Sequence, residues 1–176
     1  TQRPAGLTHL MPLVETRRWL PVASALLLVN CALAKVPVPN MMDGFRAELV
    51  YLTDTQKYGS WVALTVDSAG RLIASAQSGR VYRLTVPGAE EGAARIEVLP
   101  EPLGDAQGLL AVGSSLYVMM NREGGSGLYR AIDNDGDDVF DRIDKLFTID
   151  GHGEHGPHGL ALGPGGESIY FCAGNH

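Results

Sequence analysis

Residues 159–166 have the sequence Gly-Leu-Ala-Leu-Gly-Pro-Gly-Gly, and residues 169–171, Ile-Tyr-Phe, follow shortly after. An apolar run, a glycine-containing turn and a second apolar run together predict a β-hairpin. The same order of features occurs at residues 63–74 and again at residues 108–118. The three copies begin at residues 63, 108 and 159, so they are 45 and 51 residues apart. About 40 to 50 residues build one four-stranded blade of a β-propeller.

Further apolar runs supply the remaining strands of each repeat. Residues 79–86 and 127–132 are predicted third strands, while 95–99 and 145–149 alternate apolar with polar residues and are predicted outer fourth strands. We therefore predict an all-β fold, the N-terminal fragment of a β-propeller with about two and a half four-stranded blades. An unrelated antiparallel sandwich also has short strands, but it does not explain a repeat of blade length.

The composition agrees with a strand-rich, acidic protein. Among 176 residues there are 22 glycines, and only 19% of the residues are charged. The net charge is −6, whereas a nucleic-acid-binding protein needs a basic face. Two cysteines cannot form a disulfide-stapled scaffold. We therefore expect no nucleic-acid partner.

The beginning of the chain has the features of an export signal. Arg17 and Arg18 precede an apolar run over residues 20–29, and Ala32-Leu33-Ala34 is a small-x-small cleavage pattern. We predict a signal peptide over residues 11–34, an upstream segment over 1–10, and a partial propeller over 35–176. Export by the general or the twin-arginine route would make the protein secreted or periplasmic. The alternative is a buried N-terminal helix.

An acidic segment lies between the predicted third and fourth strands of the second repeat. Alternate residues of a tight loop can direct several carboxylates at one Ca²⁺ ion, which takes six to eight oxygen ligands. The candidate ligands are Asp133, Asp135, Asp137, Asp141 and Asp144. Asp138 stands where an EF-hand loop has glycine, so EF-hand geometry is not expected. The alternative is an acidic turn that is only solvated.

A glycine-rich histidine segment, residues 151–159, precedes the third repeat. Propeller topology places it with the second-to-third connections, at the end of the sheets opposite the acidic segment. Its His155 and His158 could act as a general base or ligate a metal, or they could only brace the loop. Further polar residues predicted at the same end are Gln107, Arg122, Asn175 and His176.

Several of these segments together resemble one family. They are residues 59–65, 128–130, 133–141, 153–158 and 174–176. The chain resembles secreted bacterial proteins of the planctomycete and verrucomicrobial "membrane-bound dehydrogenase domain" type, which are similar to glucose and sorbosone dehydrogenase propellers. That resemblance implies a quinone-dependent sugar or alcohol dehydrogenase with calcium and pyrroloquinoline quinone.

The same resemblance implies roles for the histidine-segment end. His155 or His158 would take the proton of a substrate hydroxyl, and Gln107, Arg122, Asn175 and His176 would bind the quinone. Longer members carry helical repeats and a c-type haem module with a Cys-x-x-Cys-His motif, which does not occur in this sequence. Any haem would then belong to a module outside this chain.

Two other functions stay open. One is a non-catalytic secreted propeller that binds carbohydrate or a protein partner, and the other is a scaffold for the absent haem module. Two and a half blades do not close a ring of four to eight. The sequence therefore predicts further C-terminal blades, and its substrate would be a small molecule or carbohydrate.

Overall fold

The structure, a computed structural model, describes residues 39–87, 94–100 and 103–174. Its strands form antiparallel sheets in which each strand pairs with the next one along the chain. The first sheet contains β1 (Trp61–Val66), β2 (Leu72–Ala76), β3 (Val81–Thr85) and β4 (Arg95–Val98). The second contains β5 (Ala106–Val112), β6 (Ser115–Met120), β7 (Gly127–Ile132) and β8 (Arg142–Thr148). The third pairs β9 (Pro157–Leu162) with β10 (Ile169–Ala173).

The predicted all-β class is confirmed, and so are the four-stranded antiparallel sheets. The predicted third and fourth strands differ from the observed bounds by up to three residues, most clearly for β8, which begins at Arg142 rather than near residue 145. The Asp141 N–H already donates to the Ile132 carbonyl, so the pairing of β7 with β8 starts directly after the acidic segment. Asp144 consequently lies inside a strand.

Helical structure is brief in the described residues. It consists of the single-turn helix α1 (Thr55–Tyr58) and a 3-10 turn over Gly153–His155. Asp54 caps α1 because its carboxylate accepts from the backbone N–H groups of Gln56 and Lys57. Neither helix has the length or the apolar character needed to cross a membrane, and the described residues contain no other.

The main hydrophobic core lies between the first and second sheets. Ile73 and Val81 belong to the first sheet, while Leu109, Leu116 and Val118 belong to the second, and all five are buried. Burial of one such side chain contributes about 1.5–3 kcal/mol. This cluster therefore holds the two sheets face to face.

The first strands of consecutive sheets lie next to each other, β1 beside β5 and β5 beside β9. The approach of the second and third sheets is close enough to require glycine. A Cβ atom added to Gly108 would lie 3.0 Å from the carbonyl carbon of Gly159, tighter than ordinary van der Waals contact. The three sheets are thus stacked in chain order through their first strands.

Equivalent positions in this stack differ in exposure. Leu64 and Leu109 lie 45 residues apart at matching positions of β1 and β5, yet Leu64 is 58% exposed and Leu109 is 5% exposed. Leu109 is covered because its side chain joins the cluster between the first two sheets. The sheets of the described residues do not close into a ring. The predicted signal peptide, residues 11–34, and the segment 1–10 fall outside the described residues, as do Asn175 and His176.

Candidate functional site

The connections between strands meet at two ends of the sheets. At one end, the β1–β2 turn (residues 67–71) contacts the acidic loop, residues 133–141, through an ion pair between Arg71 and Asp138. At the other end, the β6–β7 connection (residues 121–126) contacts the histidine segment through a hydrogen bond from Asn121 to the Gly153 carbonyl. The acidic loop and the histidine segment therefore belong to separate sites.

Three of the five candidate cation ligands come together in the acidic loop. Carboxylate oxygens of Asp133, Asp135 and Asp141 all lie within 4.8 Å of one another. Calcium–oxygen distances are about 2.3–2.6 Å, so two ligands of one ion lie at most about 5 Å apart. The three carboxylates consequently fit around a single cation.

The other two candidates make different contacts. The carboxylate of Asp137 accepts from the Val139 N–H at 2.8 Å. Asp144 pairs with Arg142 at 2.8 Å within β8. Neither residue belongs to the group of three, so a bound cation would need its remaining oxygen ligands from backbone carbonyls or water.

The carboxylates of the group also fold the loop. Asp133 accepts from the Gly136 N–H at 2.7 Å, and Asp141 accepts from the Asn134 N–H at 2.6 Å. Aspartate side chains commonly bond to nearby backbone N–H groups in turns, with or without a metal. Both interpretations of the acidic loop, cation site and solvated turn, agree with these contacts.

Asp138 points away from the group of three and toward the first sheet. Its two carboxylate oxygens accept from the Arg71 guanidinium at 2.6 and 2.7 Å, and the second carboxylate on Arg71 is that of Asp67, at 2.8 Å. The hydrogen bonds from Arg71 hold the pKa of Asp138 below its usual range. The same bonds raise the pKa of Arg71 further above its already high value.

Arg83 completes this contact from β3. Its side chain is only 5% exposed, and its Nη1 donates to the Asp138 carbonyl at 2.8 Å and to Glu97 at 3.4 Å. The guanidinium also lies 5.7 Å from the centre of the Phe140 ring. Sequence analysis missed this cross-sheet network. The available signal was Asp138 itself, an acidic residue at the position where a calcium loop usually has glycine.

A cavity of about 240 Å³ lies beside the acidic loop, between the first and second sheets. Arg71, Arg83, Asp133 and Asp138 contribute to its lining. The buried Arg83 Nε finds no hydrogen-bond partner among the described residues. Three carboxylates, including Asp67, against two guanidinium groups leave this cavity without a positive balance.

At the opposite end, the His155 side chain is exposed, that of His158 is half-buried, and Pro157 is buried. His158 Nε2 lies 3.0 Å from the Glu154 carbonyl, which can only accept, so this nitrogen carries the proton and Nδ1 of the neutral ring is the free acceptor. His155 ends the 3-10 turn and makes no side-chain hydrogen bond to any other described residue. A neutral imidazole with a free nitrogen can accept a proton from a hydroxyl group.

Asn121 holds the histidine segment against the second sheet. Its Nδ2 donates to the Gly153 carbonyl at 2.8 Å, and its own N–H donates to the Asp105 carbonyl at 2.9 Å. Gly156 lies so close that a Cβ atom there would collide with the Asn121 side chain. Asn121 thus fixes the position of the turn that carries His155.

The remaining candidates at this end do not share one pocket. Arg122 lines a cavity of about 160 Å³ together with His152, Ser126 and Thr148. Gln107 is half-buried at a bulge of β5, and neither it nor His155 nor His158 lines that cavity. The described residues therefore do not form a single cradle for a quinone, and no reaction step through that group follows from their geometry.

Comparison with protein-family models, with curated proteins and with solved structures gives no match for this chain. Any functional assignment accordingly depends on the sequence motifs and on the geometry described above.

Proposed function

We propose that this chain is part of a secreted, calcium-binding β-propeller. Three features support the propeller: meandering four-stranded sheets, a repeat of blade length, and first strands that lie side by side. The exposure of Leu64 gives a fourth argument, because its counterpart Leu109 is covered by the preceding sheet. A further sheet packed on β1 would cover Leu64 in the same way.

The single observation that carries calcium binding is the convergence of Asp133, Asp135 and Asp141 within 4.8 Å. Oxygen ligands are those that Ca²⁺ prefers, and the flexible coordination of this ion tolerates an irregular loop. Because the loop lies at the end opposite the histidine segment, the ion would stabilise the fold and would not touch a substrate bound near His155.

Thermal unfolding with and without calcium tests this proposal. A ligand that binds only the folded state stabilises it by about 2.7 kcal/mol at a free concentration one hundred times its Kd. We expect the melting temperature to rise with calcium and to fall with a chelator. Asp135→Asn should abolish the calcium response, whereas Glu123→Gln, an exposed acidic residue outside the acidic loop, should retain it. Equal melting temperatures in calcium and in chelator would exclude the calcium site.

A dehydrogenase activity of the whole protein is the second candidate function. It is supported by the resemblance of the sequence to dehydrogenase propellers. It is also supported by the free Nδ1 of His158, which is suited to accept a hydroxyl proton. The competing candidate is a propeller that binds carbohydrate or a protein partner without turnover.

Dye reduction by the full-length protein with added pyrroloquinoline quinone, over a panel of sugars and alcohols, distinguishes these two functions. The dehydrogenase hypothesis predicts turnover that His158→Ala or His155→Ala abolishes. Turnover retained in both variants would remove the histidines as bases. Sugar binding without any dye reduction would favour the binding module.

A further inference from the structure

We propose that Asp138 makes the acidic loop part of the junction between the first and second sheets, so that order in the loop and packing of the two sheets are coupled. The coupling itself depends only on the contacts of Asp138. Its regulation by calcium is a consequence that rests on the proposed function.

A continuous chain of contacts connects the two sheets. In the β1–β2 turn, the Asp67 carboxylate accepts from the backbone N–H groups of Ala69 at 3.0 Å and Arg71 at 2.8 Å. The same carboxylate holds the Arg71 guanidinium, which in turn binds both oxygens of Asp138. Bidentate arginine–carboxylate pairs are strong and fix orientation as well as distance. The turn of the first sheet is thereby tied to the loop of the second.

The backbone of Asp138 connects this pair to the group of three carboxylates. Its N–H donates to Asp133 at 3.0 Å, and its carbonyl accepts from Arg83. Its φ angle is +72°, in the left-handed region where glycine is favoured over aspartate. Glycine would therefore fit the local backbone with less strain. We attribute the presence of aspartate here to its ion pair with Arg71.

Arg83 is a second connection between the acidic loop and the first sheet. Its buried guanidinium keeps only the 3.4 Å contact with Glu97 if the Asp138 carbonyl moves away. Removing a partner from a buried charge is strongly unfavourable. Displacement of the loop would thus weaken the packing around β3, and loosening of that packing would release the loop.

Calcium would act on this junction through Asp133. An ion held by Asp133, Asp135 and Asp141 would fix the carboxylate that accepts from the Asp138 N–H. Coupling between two sites is reciprocal, so the Arg71 contact would raise the calcium affinity by the same factor as calcium strengthens the contact.

Hydrogen exchange across residues 67–71 and 133–141 tests the coupling, using the whole chain and the variant Asp138→Gly. This change relieves the left-handed strain but removes the pair with Arg71. We expect exchange in residues 67–71, on the other sheet, to become about fivefold faster, the upper range for one partly exposed ion pair. Conversely, Arg71→Ala in the first sheet should accelerate exchange in residues 133–141 of the second sheet.

The matched control is Arg142→Ala, which breaks the pair with Asp144 within one strand and should leave residues 67–71 unchanged. Asp138→Asn, which tolerates the same backbone region, provides a second variant if the glycine variant fails to fold. Unchanged exchange in residues 67–71 for both Asp138 variants would overturn the proposal, as would an equal effect of Arg142→Ala.

Hydrogen exchange measured with and without calcium tests this inference separately from the proposed function. If both hold, calcium slows exchange in both segments of the unaltered chain but only in residues 133–141 of Asp138→Gly. If calcium changes nothing while Asp138→Gly still accelerates residues 67–71, the calcium site fails and the coupling holds. If calcium slows only the loop in the unaltered chain, calcium binds and the coupling fails.

Discussion

The acidic-loop end and the histidine-segment end of the sheets are built by different means. At the acidic-loop end, charged side chains bond across two sheets, and Arg83 is buried among them. At the histidine-segment end, a single described side-chain bond, from Asn121 to Gly153, connects the second sheet to the segment. The side chains of His155 and His158 are exposed and half-buried, respectively. The first end is suited to stabilising the stack of sheets, and the second leaves its polar groups free for a ligand.

Glycines with a left-handed φ occur at both ends, but two individual glycines have different reasons for being glycine. In the acidic loop, Gly136 has a φ angle of +79°, and a Cβ atom added there would meet no other atom within 4 Å. At the opposite end, Gly156 has an ordinary φ of −70° and is needed because Asn121 fills the space beside it. One glycine serves conformation and the other serves packing.

The largest effect should come from the core that both ends share. Leu109→Ala removes a buried side chain between the first and second sheets, and such a change costs about 2–5 kcal/mol of unfolding free energy. Leu64→Ala at the equivalent exposed position should change stability by less than about 0.5 kcal/mol. Denaturant unfolding of both variants measures the two losses of unfolding free energy. In the 176-residue chain, equal losses would show that the two positions are covered alike and would contradict the observed stacking.

An intermediate effect should distinguish the two glycines. Gly156→Ala forces a Cβ atom against Asn121, and overpacking of this kind costs about 1–3 kcal/mol. Gly136→Ala meets no neighbouring atom, so its cost should be about 1 kcal/mol of backbone strain. Thermal unfolding measures both. Adding Asn121→Ala should relieve the penalty of Gly156→Ala but not that of Gly136→Ala; a penalty that persists would place the collision elsewhere.

The smallest effect should appear in the acid stability of the acidic-loop end. Because Arg71 lowers the pKa of Asp138 in the folded state, the stabilisation from this carboxylate is present at neutral pH. It is lost as the pH falls below the ordinary range of an aspartate and through the lowered folded pKa. The difference in melting temperature between the unaltered chain and Asp138→Asn should therefore shrink at low pH.

Asp150→Asn is the control for that experiment. Asp150 is exposed and precedes the histidine segment, and it makes no ion pair within the described residues. Its replacement should leave the melting temperature nearly unchanged, because an exposed side chain without an ion pair contributes little to stability. A gap between Asp138→Asn and the unaltered chain that widens on acidification would contradict the ion pair with Arg71.

Local patterns predicted the strands well because a hairpin depends on neighbouring residues. The apolar runs around the turns at residues 67–71 and 163–168 form β1–β2 and β9–β10 as expected. The separation of the acidic loop from the histidine segment also followed from sequence, since alternate connections of a meander emerge at opposite ends. The convergence of Asp133, Asp135 and Asp141 follows the predicted alternation of carboxylates in the loop.

What sequence could not predict involves residues far apart in the chain. In the sequence, Asp138 is only a departure from a calcium loop, because its partner Arg71 lies 67 positions earlier and is brought near only when the sheets stack. Asp144 lies outside the group of three because β8 already begins at Arg142, whereas the carboxylate of Asp137 accepts from the Val139 N–H. Likewise, the hydrogen bond from Asn121 to the Gly153 carbonyl joins the second sheet to the histidine segment, and its two residues lie 32 positions apart in the chain.

The sequence by itself determined the all-β class, the order of the strands in the described residues, and the separation of two polar sites, because these depend on local periodicity and turn chemistry. Only the tertiary structure decided which carboxylates share one cation-sized group and which one ties two sheets together. Those outcomes depend on side-chain distances of a few ångströms between segments whose approach is set by core packing.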